Sequence, residues 1–129
     1  MAQKDNGEGR RTPTTITCPE CHGVINQVGT GKDASFECQV GHSFTAIGLA
    51  EAQEDALERA LWAAVRALEE GASLSRKMAE IATQKHRPHA RTRYTMRANQ
   101  REEHARVLLD LLGKFERQER DIEITENSA

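Results

Sequence analysis

The chain has 129 residues, 37% of them hydrophobic and only 4% aromatic, and its 20 acidic and 18 basic side chains leave a net charge of −2. Such a composition describes one small domain, or a small domain with an appendage, without the material for a large apolar core. The near balance of charge gives no global case for nucleic acid or a membrane surface as a partner. No apolar run approaches the roughly 20 residues of a membrane span and the chain opens without an apolar signal core. A cytoplasmic location is therefore expected, where thiols are more often metal ligands than disulfides.

Residues 1–15 are polar, carry glycine and show no period, which predicts a disordered lead. The chain's three cysteines follow, in the pattern C-x2-C-x16-C-x3-H: Cys18 and Cys21, then Cys38 and His42. Two residues between the first pair let both thiolates reach one ion from a tight turn. Sixteen more are enough for a hairpin, predicted as strands over Val24–Val28 and Ala34–Cys38 around Gly29-Thr30-Gly31-Lys32-Asp33, that returns the second pair to the same ion. Pro19 stiffens the first knuckle, and Gly23 and Gly41 are placed where a turn needs a positive φ. Three thiolates and one neutral imidazole fill a tetrahedral Zn2+ shell and leave no position for a catalytic water. The expected site is structural, in a zinc ribbon over residues 16–44.

Other chemistries compete for these residues. Cys18-Pro19-Glu20-Cys21-His22 is literally the C-x-x-C-H haem-attachment pattern, but haem attachment needs export. A thioredoxin-like pair wants a strand-to-helix setting, whereas a hairpin is predicted here. His22 is an alternative to His42 as fourth ligand, iron is an alternative ion, and three unrelated buried thiols would leave the paired spacing unexplained.

Helix is predicted directly after the last ligand. Thr45 is a suitable N-cap, and Phe44 with Leu49 would form a hydrophobic staple fixing the angle between ribbon and helix. Ile47, Ala50, Leu57, Leu61, Ala64 and Leu68 make the first seam, widened by Trp62 and Val65 and fading through Gly71 and Ser75 before Met78 and Ala82. Gly71 suggests a bend or a close crossing. Pro88 cannot continue a helix, so a turn is predicted near residues 87–89, with a second helix from about His89. That helix carries Tyr94, Ala98, Ala105, Leu108, Leu112 and Phe115 on its seam, Arg101 excepted, and Val107, Leu109 and Leu111 broaden it. Antiparallel partners then have numbers summing to about 177, which sets Leu68 against Leu109 and Val65 against Leu112. The predicted architecture is α+β and mostly α: a small zinc ribbon, an antiparallel two-helix hairpin over residues 45–121, and a flexible tail over 122–129.

Charge is uneven along the hairpin. From Arg76 to Arg106 nine basic residues stand against three acidic ones, and no acid lies between Lys85 and Arg97. Lys85, Arg87, Arg91, Arg93 and Arg97 form a candidate basic tip for an acidic protein surface or phosphate groups. Acidic residues collect at the other end, in Glu51, Glu54, Asp55 and Glu58 and, on the returning helix, Glu116, Glu119 and Asp121. Tyr94 is the one aromatic available near the tip for base stacking. No nucleophile elbow or phosphate-binding glycine loop is present, and an enzyme is not expected.

The runs Cys18 to Gly23, Phe36 to Phe44 and Glu54 to Glu70 together resemble the C-terminal extension of bacterial chemotaxis protein-glutamate methylesterases, in which a C-P-x-C-x-G knuckle, a C-x-V-G-H return and an A-L-x-x-A-L-W-A-A helix follow one another. The likeness covers about residues 16–70 closely. Thr45-Ala46-Ile47 stands where such relatives often have Ser-Pro-Glu. The resemblance implies Cys18, Cys21, Cys38 and His42 as metal ligands. It carries over no catalytic residue, because ester hydrolysis in that family belongs to a separate upstream α/β domain. The expectation is a non-catalytic zinc-binding adaptor or protein-interaction module in chemotaxis-like signalling, with a protein partner or a second copy of itself. The alternatives are a nucleic-acid-binding protein using the basic tip and a thiolate-based metal or redox sensor.

Overall fold

The computed structural model describes residues 10–128. Its elements are β1 (Arg11–Thr17), β2 (Val24–Val28), a 3-10 turn (Gly31–Asp33), β3 (Ser35–Cys38), β4 (Ser43–Thr45), α1 (Ala46–Gln84) and α2 (Pro88–Asn127). The chain is α+β and mostly helical, and it forms two compact units, one up to Leu57 and one from Glu58.

The first unit is a four-stranded antiparallel sheet in the order β1-β2-β3-β4, followed by the first turns of α1. The β2–β3 hairpin matches its predicted strands to within one residue, and its register sets Ile25 against Cys38. Those two side chains are buried with Cys18 and Leu49, and Cys21, Phe36 and Phe44 pack around them. Phe36 and Phe44 face each other across β3 and β4. Thr45 caps α1 as expected, its Oγ1 accepting the Gly48 N–H at 3.0 Å. Phe44 and Leu49 share one cluster, as a staple requires.

Two strands extend what the sequence predicted. β1 takes in Arg11–Thr15, where the sequence predicts a disordered lead; residues 1–9 of that lead lie outside the described residues. β1 is an exposed edge strand held by backbone pairing, so it needs no apolar alternation. Pro13, which has no N–H to give a ladder, is tolerated at such an edge. The pairing shifts between Pro13 and Thr17, and there Thr14 Oγ1 donates to the Ile25 carbonyl at 2.7 Å and accepts the Ile16 N–H at 3.1 Å. The short β4 extends the sheet beyond the predicted hairpin. Ile47, Ala50 and Leu57, predicted for the helix seam, are exposed, because the staple directs Leu49 rather than Ile47 into the core at this end of α1.

In the second unit α1 and α2 form an antiparallel hairpin. Its seam is built largely from small residues: Ala72, Ser75, Ala82, Ala98 and Ala105 are buried, with Val65 and Leu112. Small side chains let two helix backbones approach closely. Arg76 donates across the hairpin to Glu102 Oε1 at 2.7 Å and to Asn99 Oδ1 at 3.2 Å, a register in agreement with the predicted sum. Helix is unbroken through Gly71, whose open side faces the aliphatic stem of Arg101.

The turn falls slightly earlier than predicted. His86 adopts φ 54°, with its N–H donating to the Thr83 carbonyl and the Arg87 N–H to the Ala82 carbonyl at 2.9 Å, the paired bonds of a Schellman motif. Pro88 then opens α2 as its first residue, where its missing N–H would in any case lack an intrahelical partner. Helix continues through Asn127, so the predicted tail from 122 is helical to that point; apolar Ile122 and Ile124 are exposed on it, and no seam residue announced it.

Leu112 is 1% exposed and Leu109 38%, so the two leucines differ in weight. Leu112→Ala is expected to lower stability by about 2–4 kcal/mol and Leu109→Ala by under about 1 kcal/mol, read from denaturant melts followed by far-ultraviolet circular dichroism. Equal losses would mean that the seam has been placed on the wrong face. His86→Gly removes the left-handed strain of a side chain at the helix end and is expected to stabilise the hairpin by about 0.5–1 kcal/mol.

Candidate metal centre

The first knuckle is closed by backbone bonds: the Cys18 N–H donates to the Gly23 carbonyl at 2.7 Å and the His22 N–H to the Cys18 carbonyl at 2.8 Å. This turns the chain so that Cys18 and Cys21 point the same way. The left-handed residue of the knuckle is His22, at φ 63°, and not Gly23 as the sequence suggested. A side chain held in that conformation points outward, and His22 is exposed.

The second knuckle follows the prediction. Gly41 has φ 107°, and the turn is closed by the Gly41 N–H donating to the Cys38 carbonyl at 3.2 Å and the Cys38 N–H to the His42 carbonyl at 3.0 Å.

The two knuckles bring one donor atom each from Cys18, Cys21, Cys38 and His42 to within 4.8 Å of one another. Cys21 Sγ lies 3.7 Å from Cys38 Sγ, and His42 Nδ1 lies 3.6 Å from Cys18 Sγ and 3.3 Å from Cys38 Sγ. A tetrahedral ion with metal–sulfur bonds of about 2.3 Å and a metal–nitrogen bond of about 2.0 Å spaces its sulfurs about 3.8 Å apart and sulfur from nitrogen about 3.5 Å. These three edges agree, and the cluster is compatible with a metal site. All three cysteines are free thiols, and a 3.7 Å separation is far beyond the roughly 2.05 Å of a disulfide.

The local electrostatics favour a thiolate at Cys38. Burial by itself raises its pKa, but the N–H of His42, the Cys21 sulfur and the N–H groups of Val40 and Gly41 bring it down to about 6. The His42 N–H lies 3.3 Å from that sulfur. For Cys21 the Gly23 N–H acts downward, yet burial and the thiols of Cys38 and Cys18 leave its pKa raised. A cation among the four donors removes that mutual opposition, because metal ligation requires the deprotonated sulfur.

The structure thus brings together the four residues read from the spacing and leaves His22 outside. It adds one that sequence reasoning missed. Glu20 Oε2 lies 3.1 Å from His42 Nε2, so the ring that presents Nδ1 to the sulfurs is held from behind by a carboxylate. This arrangement fixes ring orientation. The signal was present as the acid inside Cys-Pro-Glu-Cys, but only the fold shows that it faces His42. The basic tip residues Lys85, Arg87, Arg91, Arg93 and Arg97 are exposed on the second unit. Arg93 and Arg97 lie over the Tyr94 ring at 5.6 and 5.8 Å, so the one aromatic there already has two cations against it.

Metal affinity should separate these roles in a competition titration against a chromophoric chelator. His42→Ala is expected to weaken binding most, Glu20→Gln by about 10–100-fold, and His22→Ala not measurably. Equal effects at His22 and His42 would overturn the ligand set. No family model, curated protein or solved structure matches this chain.

Proposed function

We propose that the chain is a non-catalytic, zinc-stabilised protein-interaction module. The observation that carries this reading is the closure of the site: four donor atoms of Cys18, Cys21, Cys38 and His42 lie within 4.8 Å of one another, enough to complete a tetrahedral shell with no coordination position for water or substrate. When bound, the ion supplies a cross-link between the two knuckles. Cys18, Cys21 and Cys38 would hold it as thiolates and His42 through Nδ1, while Glu20 keeps the imidazole turned toward it. Zinc suits three sulfurs and one nitrogen in tetrahedral array better than the harder divalent ions do.

The likeness of the knuckles and of the Leu61-Trp62-Ala63-Ala64 helix to methylesterase extensions supports a setting in bacterial chemotaxis-like signalling, with a protein partner in the cytoplasm. Among the described residues no helix is long and apolar enough to cross a membrane. The nucleic-acid alternative gains support from the acid-free stretch between Lys85 and Arg97, but Tyr94, flanked by Arg93 and Arg97, offers it little free stacking surface.

Cobalt(II) added to the metal-free full chain is expected to give the visible bands of tetrahedral thiolate coordination at one equivalent, and Cys38→Ser to lose them. Octahedral cobalt would refute the closed site. In affinity capture from the source organism, wild type is expected to retain a specific protein partner that Cys38→Ser loses; the same partners with both would refute a metal-organised surface.

A further inference from the structure

The turn and the first half of α2 are free of acidic side chains. Residues 81–101 carry six bases and no acid, and among the described residues none of Lys85, Arg87, Arg91, Arg93 and Arg97 is in an ion pair. The acids that bound this stretch are turned away or engaged. Glu80 lies about 160° round α1 from buried Ala82, on the side away from α2, while Glu102 is held by Arg76 and Glu103 by Arg106.

Within the stretch α2 has a free outer side. Ala98 is fully buried in the seam with α1. At about 100° per residue, His89, Thr92, Arg93, Met96, Arg97 and Gln100 lie about 100–180° round the helix from it. All six are exposed and border one shallow hollow. From His89 to Gln100 the face is about 17 Å long, and because α1 stands behind it, it has the width of a single helix, about 10–12 Å.

The chemistry of the face selects a partner. An acidic protein surface is ordinarily gripped through an apolar or aromatic centre, and Met96 is the one large apolar side chain here. Single strands are held by stacking on free aromatic rings, but Tyr94 is half-buried with Arg93 and Arg97 against it. A duplex needs neither. Arginine forks suit phosphates and guanine edges, and glutamine and threonine hydrogen-bond to bases or phosphates. The major groove of B-form DNA, about 12 Å wide, admits one α-helix, whereas the A-form major groove is too narrow for side chains to read.

We infer that the outer face of α2 from His89 to Gln100 lies in the major groove of double-stranded DNA. Arg93 and Arg97 then reach phosphates or guanine edges, and Lys85, Arg87 and Arg91 at the tip contact the flanking backbone. This surface belongs to the helical unit, apart from the metal-organised one, and is present whether or not the metal site is filled.

Fluorescence anisotropy of the full, zinc-loaded chain with a labelled DNA duplex of about 20 base pairs, two helical turns, tests the inference. The expected Kd is of order micromolar at low salt, with the logarithm of the association constant falling against log[NaCl] at a slope of about −3 to −5. Arg93→Gln with Arg97→Gln is expected to weaken binding at least about tenfold and to make that slope shallower by about 2. Met96→Glu sets a carboxylate in the middle of the face without touching the seam, and is expected to weaken binding at least as much. Lys114→Gln with Arg117→Gln, beyond the face, is expected to change Kd by less than about twofold, and far-ultraviolet circular dichroism to show the helices retained in every variant. Absence of binding at low salt, indifference to the Met96 change, or equal or tighter binding of single-stranded DNA, duplex RNA or phosphatidylglycerol vesicles overturns the proposal. So does capture of an acidic protein through Arg93 and Arg97 by a chain that leaves the duplex unbound.

Discussion

The sheet depends on four side chains from two knuckles meeting at one point. Cys18 and Cys38, two of the four buried residues at its centre, are also candidate ligands, so the core and the metal site are one structure. With only Ile25 and Leu49 as buried aliphatic partners, apolar burial supplies roughly 1.5–3 kcal/mol for each. A sheet this small does not offset its chain entropy on that basis, and units of this size ordinarily rely on a metal or disulfides. Here the thiols are free and clustered within 4.8 Å with His42, so in the zinc-bound form proposed above metal binding and folding of the sheet would be a single equilibrium.

The helical unit solves the same difficulty differently. It buries mainly alanine, which gives little apolar area per residue but lets long helices lie close together over many turns. The ends are defined locally: Thr45 caps the start of α1, His86 closes its end, and Pro88 opens α2 with φ already suited to helix. None of these needs a large core.

Legibility in the sequence followed the kind of interaction. The knuckles were legible because ligand spacing is dictated by bond geometry, and β2, β3 and the hairpin register because period and proline constrain them. β1 was not, since an edge strand held by backbone bonds and the Thr14 hydroxyl leaves no apolar alternation. Propensity places the strained residue of the first knuckle at Gly23, yet His22 occupies it, held by its own N–H bond to the Cys18 carbonyl and by the Cys18 N–H bond to the Gly23 carbonyl. Glu20 is visible in the sequence as an acid between two ligands, but its role is not, because it lies in facing His42 across 22 positions of sequence. Ile47 and Leu57 fitted the helical period, but the Phe44–Leu49 staple fixed which face of the helix turned inward there.

The large apolar side chains of the second unit are divided between its seam, where Leu61, Leu68, Met78, Leu108 and Phe115 are half-buried, and its surface. Val65 and Leu112 are buried, whereas Trp62, Leu74, Ile81, Met96, Val107 and Leu111 are exposed. Exposed hydrophobes distributed over the outer faces of two helices need no further explanation. The alanine seam determines how closely the two helices approach, and the half-buried larger residues beside it supply most of the apolar area that the hairpin covers.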